Sequence, residues 1–255
     1  MALQPYSLYA IINVGKNSCR LSGGGFSQET IQKGMIALKN LPDHLLQRYL
    51  LLLVGLTIMA FGVAFSIKAS LGTSPISSVP YVVSLFTPFT VGTATIVMHC
   101  VFIVLQILIL RKRYQLIQLM QLPVAIFFGY LTDFGVWAVQ GIECTTYWQQ
   151  WIACLIGISL VAAGVSCEVK ANVVVLAGEG VVLAICKVLP VKFGHMKVGF
   201  DVTLVVIACI LSLVFTGHLQ GVREGTVAAA LLVGTIAKQF NKLPVFCFDQ
   251  KGENT

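Results

Sequence analysis

Glu179 stands between Gly178 and Gly180 in the middle of an apolar run, VVVLAGEGVVLAI. A carboxylate at that depth is costly enough to mark a functional position. The plainer account is an interior ion pair with Lys170 or Lys187. At an offset of 102 residues (179 − 77 = 102) lies Ser77, inside Leu71–Gly92, LGTSPISSVPYVVSLFTPFTVG. That stretch places Gly72, Thr73, Ser74 and Pro75, and then Thr-Pro-Phe-Thr, where lipid penalises free polar backbone. Hydroxyls, open backbone groups and one carboxylate suit the binding of a small polar solute. The candidate set is therefore Gly72, Thr73, Ser74, Pro75 and Ser77, with Ala177, Gly178, Glu179 and Gly180. Helix capping accounts for Thr73 and Ser74 equally well.

A second group concerns coupling. His99 and Asp201 share the same offset (201 − 99 = 102) and, facing inward, would form a proton-linked pair, histidine being the residue most easily switched near neutral pH. The alternative has both reaching water near helix ends. Asp133 joins them as an acid in an apolar run, near enough to its end for solvation. Lys68 and Lys170 sit at matching bends and would attract an anion or snorkel to the interface. His195 and Lys197 read as a polar turn without a special role. The eight cysteines show no CxxC or metal-ligand spacing. No HExxH, P-loop or GxSxG is present. The expectation is no catalytic residue, no metal, no cofactor and no enzyme.

Across the whole chain, 57% of residues are hydrophobic, only 11% are charged, and mean hydropathy is +0.87. Soluble domains carry roughly 25% charged residues, so an integral membrane protein is indicated. Long apolar runs without alternation predict helices rather than a barrel. Spans are expected at Tyr49–Ile67, Val91–Leu110, Leu116–Val139 and Gln149–Cys167. The eleven apolar residues Ile76–Phe86 are too few to cross. The net charge of +7 gathers at the ends of these runs, which is a topology signal and not a nucleic-acid footprint.

The chain also repeats. LVGLTIMAFGVAFSIKAS from Leu53 aligns with LIGISLVAAGVSCEVKAN from Leu155. Gly55 meets Gly157, Gly62 meets Gly164 and Lys68 meets Lys170, and the register continues through Pro88 with Pro190 and Gly92 with Gly194. It then slips by three, so that Gly129 meets Gly234. The expected fold is an all-α polytopic membrane protein of two inverted-topology repeats, 48–140 and 148–240, each with three spanning helices and one broken or re-entrant helix. If both broken stretches enter and return, Arg48, Arg111, Lys112, Arg113, Lys170, Lys187, Lys192, Lys197, Lys238 and Lys242 are all cytoplasmic. Only Lys68 and Arg223 then face out. The stretch 172–190 is the weak point, being long enough to span. Residues 1–47 read as a flexible tail, with Met35 as an alternative start, and 241–255 as a cytoplasmic tail.

GTSPISSVPYVVS (72–84), FTVGTATIV (89–97) and GVREGTVAAALLVG (221–234) together resemble the YczE-like group of bacterial membrane proteins, itself similar to the membrane part of the YitT group. The resemblance covers roughly 48–240. It implies a multi-pass protein of the bacterial cytoplasmic membrane, both termini inside, and implies no settled activity. Members often carry Trp-Asp after the Gly-Pro or Ser-Pro; Ile76-Ser77 stands here instead, so no role rests on that acid.

Three function classes are open. The first is a transporter or channel for a small polar or anionic solute, bound between two broken helices near the midplane. The second is a substrate-binding subunit that needs an energising partner. The third is a non-transporting scaffold. Expected partners are the bilayer, an unidentified solute, and a second copy or an energising subunit, with no nucleic acid.

Overall fold

The computed structural model describes residues 45–111, 114, 116–171, 173–191 and 193–240. Of the expected tails 1–47 and 241–255, residues 1–44 and 241–255 lie outside them, as do the Met35 start, Lys112, Arg113, Lys192 and Lys242, while residues 45–47 are helical and not part of a flexible tail. The chain divides into two compact units after Leu50. Of the first, only the opening of one helix is described. The second, from Leu51 on, holds the rest of that helix and every other described element.

The described residues form eight α-helices: α1 (Leu45–Ala69), α2 (Pro75–Phe86), α3 (Val91–Leu110), α4 (Gln121–Ala138), α5 (Tyr147–Ala171), α6 (Ala177–Val188), α7 (Phe193–Thr216) and α8 (Glu224–Phe240), with a 3-10 turn at Leu116–Met120. Five of them, α1, α3, α4, α5 and α7, are long and apolar enough to cross a bilayer. The protein is thus an all-α, multi-pass membrane protein. α8 has 17 residues, or about 26 Å of helix.

Both ends of the two short helices recur at 102 residues (177 − 75 and 188 − 86), and the starts of α4 and α8 at 103 (224 − 121). The duplication seen in glycines and prolines is therefore a duplication of elements.

α2 and α6 are both 12 residues long, about 18 Å against a hydrocarbon core of roughly 30 Å. Matched prolines explain where they stop. A residue before proline is pushed out of the helical region. Thr87, before Pro88, is extended at φ −120°, ψ 163°, and Leu189, before Pro190, at φ −109°, ψ 141°. At the other end, Pro75 fills the first helical position of α2, where its missing N–H is not needed. The stretch 172–190 thus holds a helix too short to cross.

Small residues let α1 and α5 touch. A Cβ added to Gly55 would lie 3.0 Å from the Gly164 carbonyl, and one on Gly62 would lie 2.8 Å from that of Gly157. Since 55 meets 164 while 62 meets 157, the two helices run antiparallel, and each repeat's first glycine meets the other's second. Ala69 and Leu71 at the end of α1 pack with Ala153, Cys154 and Ile158 at the start of α5, which agrees.

Two further tethers place α2. Lys68 Nζ donates to the Gln140 carbonyl just past α4 (2.9 Å). Asp133, two turns earlier on α4, holds the start of α3: Thr90 Oγ1 donates to Oδ2 (2.6 Å) and the Gly92 N–H to Oδ1 (2.7 Å). The residues before and after α2 are therefore tied to the same end of α4. In the second half, Lys170 Nζ donates to the Phe240 carbonyl at the end of α8 (3.2 Å). The matched lysines each serve the C-terminal carbonyls of a helix, a favourable place for a cation.

The outward faces are apolar. Val97, Val101, Val104 and Leu108 on α3, and Val198, Val202, Val206 and Ile210 on α7, are exposed at helical spacing. Trp137, Tyr147 and Trp148 stand exposed near helix ends, where interfacial aromatics belong. Contact with lipid is the consistent physical account.

Candidate functional site

α2 and α6 meet at their first turns. The position a Cβ would take on Gly178 is occupied by the Ile76 Cδ1 methyl, so Gly178 is packed directly on Ile76. These two residues are repeat equivalents (178 − 76 = 102). The contact brings together the N-terminal, partially positive ends of two half-helices. Around it lie Met98, Phe102, Ile103, Ala177, Val181 and Leu204, a core drawn from α3, α6 and α7.

In the first half, Gly72 has φ +99°, a conformation glycine alone adopts freely, and Thr226 and the Arg223 N–H crowd it. The Thr73 N–H donates to the Gly221 carbonyl (3.2 Å) and the Gly225 N–H to the Leu71 carbonyl (2.8 Å), pinning the unwound segment to the loop before α8 and to the first turn of α8. Ser74 occupies the cap position of α2 without a side-chain cap bond; its hydroxyl donates to Ser77 Oγ (3.0 Å). Thr73 is buried, and its hydroxyl has no partner. Capping therefore accounts for neither hydroxyl.

In the second half, Gly180 leaves room for the Gln106 amide, which a Cβ would approach to 2.7 Å. Gln106 Nε2 donates to the Ala177 carbonyl and to Gln121 Oε1, both at 3.0 Å. Glu179 is half-buried.

Glu168 escaped the sequence reading. It is 4% exposed, and its Oε1 accepts the Leu176 N–H at the entrance to α6 (2.7 Å). Its signal was weak: the acid stands two residues before Lys170, as if at a helix end. Its repeat equivalent, Ser66 (168 − 66 = 102), is polar and buried too.

The expected coupling residues separate. Asp201 pairs with Lys197 (2.8 Å), so Lys197 has a role that a bland polar turn did not predict. His99 is 2% exposed, with its ring edge-on to Phe102 and Phe128 and its Nδ1 without a partner. The structure gives no His99–Asp201 bond. Asp133 is a clamp on α3, not a solvated helix end. Lys68 and Lys170 hold the ends of α4 and α8. No cluster of metal-ligating side chains occurs among the described residues.

A cavity of about 290 Å³ opens beside the first unwound segment, lined in part by Ser66, Thr73, Tyr81, Gln220 and Arg223. Of the cavity's lining residues, Gly72 and Thr73 belonged to the expected site. No curated protein and no solved structure matches the chain. A family model described as a family of unknown function (DUF6198) matches residues 46–242. The likeness to the YczE-like group remains a likeness of motifs, and the chain belongs to the DUF6198 family of unknown function.

Proposed function

We propose that the protein is a transporter or channel for a small polar or anionic solute, with α2 and α6 as re-entrant half-helices of two inverted repeats. The observation that carries this reading is the packing of Ile76 on its own repeat equivalent, Gly178. Half-helix N-termini that meet at a repeat interface supply dipoles and free backbone groups to a solute near the midplane.

Inversion is supported by the antiparallel crossing of the equivalent helices α1 and α5. Re-entry of α2 is supported by Lys68 and Asp133, which tie both its flanks to one end of α4. On this reading Arg111, Lys170, Lys187 and Lys197 share the cytoplasmic face, opposite Lys68 and Arg223, as the positive-inside rule requires. The setting is a bacterial cytoplasmic membrane, with both termini inside.

The test is uptake into proteoliposomes. Ser74→Ala and Glu179→Gln are expected to lower solute flux while far-UV circular dichroism and detergent monodispersity stay unchanged. If neither variant alters any flux or binding, the assignment fails.

A further inference from the structure

We infer that the cavity between the end of α1, the unwound segment 70–74, Tyr81 of α2 and the 217–223 loop is a binding chamber for a small hydroxylated monoanion, with Arg223 setting the charge preference. The inference rests on the transport reading only for where the ligand goes next. It names a substrate class and assigns a role to Arg223, which lies outside the midplane contact.

The chamber is built and not incidental. Its floor is fixed by the Thr73–Gly221 and Gly225–Leu71 backbone bonds. Its loop is braced by Ser212, whose hydroxyl donates to the His218 carbonyl and accepts from the Gln220 N–H, both at 2.8 Å. At about 290 Å³ it sits at the lower edge of the roughly 300–1,000 Å³ typical of small-molecule pockets, so a ligand of a few carbons fits.

The lining is one-sided in charge. It offers hydroxyls from Ser66, Thr73 and Tyr81, the Gln220 amide and the Arg223 guanidinium, and no carboxylate. Thr73 is 1% exposed with an unpartnered Oγ1, a buried polar group that a ligand oxygen would satisfy. Arg223 has five N–H donors in a planar fork suited to a carboxylate. Nη1 reaches the Ser70 carbonyl (3.2 Å) and Nε faces Glu224 Oε2 (3.4 Å). Glu224 does not cancel that charge: both side chains are about half exposed, where such pairs are weak, and Glu224 stands in the first turn of α8, where the helix dipole holds it.

The test uses matched pairs differing by one carboxylate: glycerate with glycerol, and gluconate with glucitol. Full-length protein in nanodiscs is titrated calorimetrically. At least one acid is expected to bind about tenfold or more tighter than its alcohol. Arg223→Gln should remove that preference, Arg223→Lys should restore part of it, and Thr73→Val should weaken acid and alcohol alike. An independent readout is the labelling rate of Ser70→Cys on the chamber rim, expected to be faster with an anionic than a cationic methanethiosulfonate, the difference vanishing with Arg223→Gln. Equal or absent binding across both pairs, or a preference that survives Arg223→Gln, overturns the inference. Flux that depends on Ser74 and Glu179 without acid preference removes the chamber and leaves transport standing. Acid binding without flux does the reverse.

Discussion

Asp133 and Glu168 show how differently two acids are used inside one membrane protein. Asp133 accepts from Thr90 and Gly92 at once, so its charge meets the positive end of α3. Carboxylates in that place contribute about 0.3–2 kcal/mol through the dipole, with charge-assisted hydrogen bonds added. Asp133→Asn is expected to cost about 1–2 kcal/mol, read as a lower midpoint of thermal unfolding in detergent, with any solute affinity unchanged. Among the described residues, the Leu176 N–H is the backbone donor to Glu168. Glu168→Gln keeps an acceptor for it and should fold normally. Glu168→Ala orphans a buried N–H, which costs about 1–3 kcal/mol. If the two variants unfold together, the Leu176 bond is not what Glu168 provides. Neither acid was readable in this role from the sequence, because the partners lie 41–43 residues away for Asp133 and depend on how an unwound segment turns for Glu168.

At the scale of elements, far more was legible. Gly55 with Gly157, Gly62 with Gly164 and Pro88 with Pro190 were legible as a repeat register; the structure adds that these glycines pack α1 on α5 and that these prolines end α2 and α6. Both signals are local steric facts, so a sequence carries them directly. The contact of α2 with α6 was legible as a meeting of broken segments, but Ile76 as its anchor was not, since an isoleucine in an apolar run looks like any other. That contact yields a prediction. Gly178→Ala drives a methyl into the Ile76 side chain and should destabilise by about 1–3 kcal/mol. Ile76→Ala alone leaves a void. The double variant is expected to recover part of both losses, with a coupling energy of about 0.5–3 kcal/mol in a double-mutant cycle. Additive effects would mean the two short helices do not meet there. The cavity by Arg223 was invisible beforehand for a related reason: Arg223 reaches Ser70 across 153 residues, and nothing local to either residue foretells it.

For the molecule as a whole, inverted topology makes a claim about sides that charge counting alone leaves open. On the proposed inversion, the antiparallel Gly55–Gly164 and Gly62–Gly157 contacts of α1 and α5 extend to whole repeats related by a rotation that exchanges the two membrane faces. Matching residues after α2 and α6 must then emerge on opposite sides. Gly92 is a poor position for a labelling test, since it has Asp133 and the Gly129 carbonyl where a Cβ would go. Pro88 and Pro190 are repeat equivalents, both exposed, and serve better. In right-side-out proteoliposomes, Pro88→Cys is expected to react with a membrane-impermeant maleimide from outside, and Pro190→Cys only after permeabilisation. The described native cysteines are buried or half-buried, and the unsubstituted protein gives their background. Labelling of both positions from the same side would mean that α6, or both short helices, connect their neighbours across the bilayer instead of returning. If both cross, the repeats are parallel and Lys68 and Lys170 share a face; in either case the midplane meeting of two N-terminal dipoles loses its structural basis.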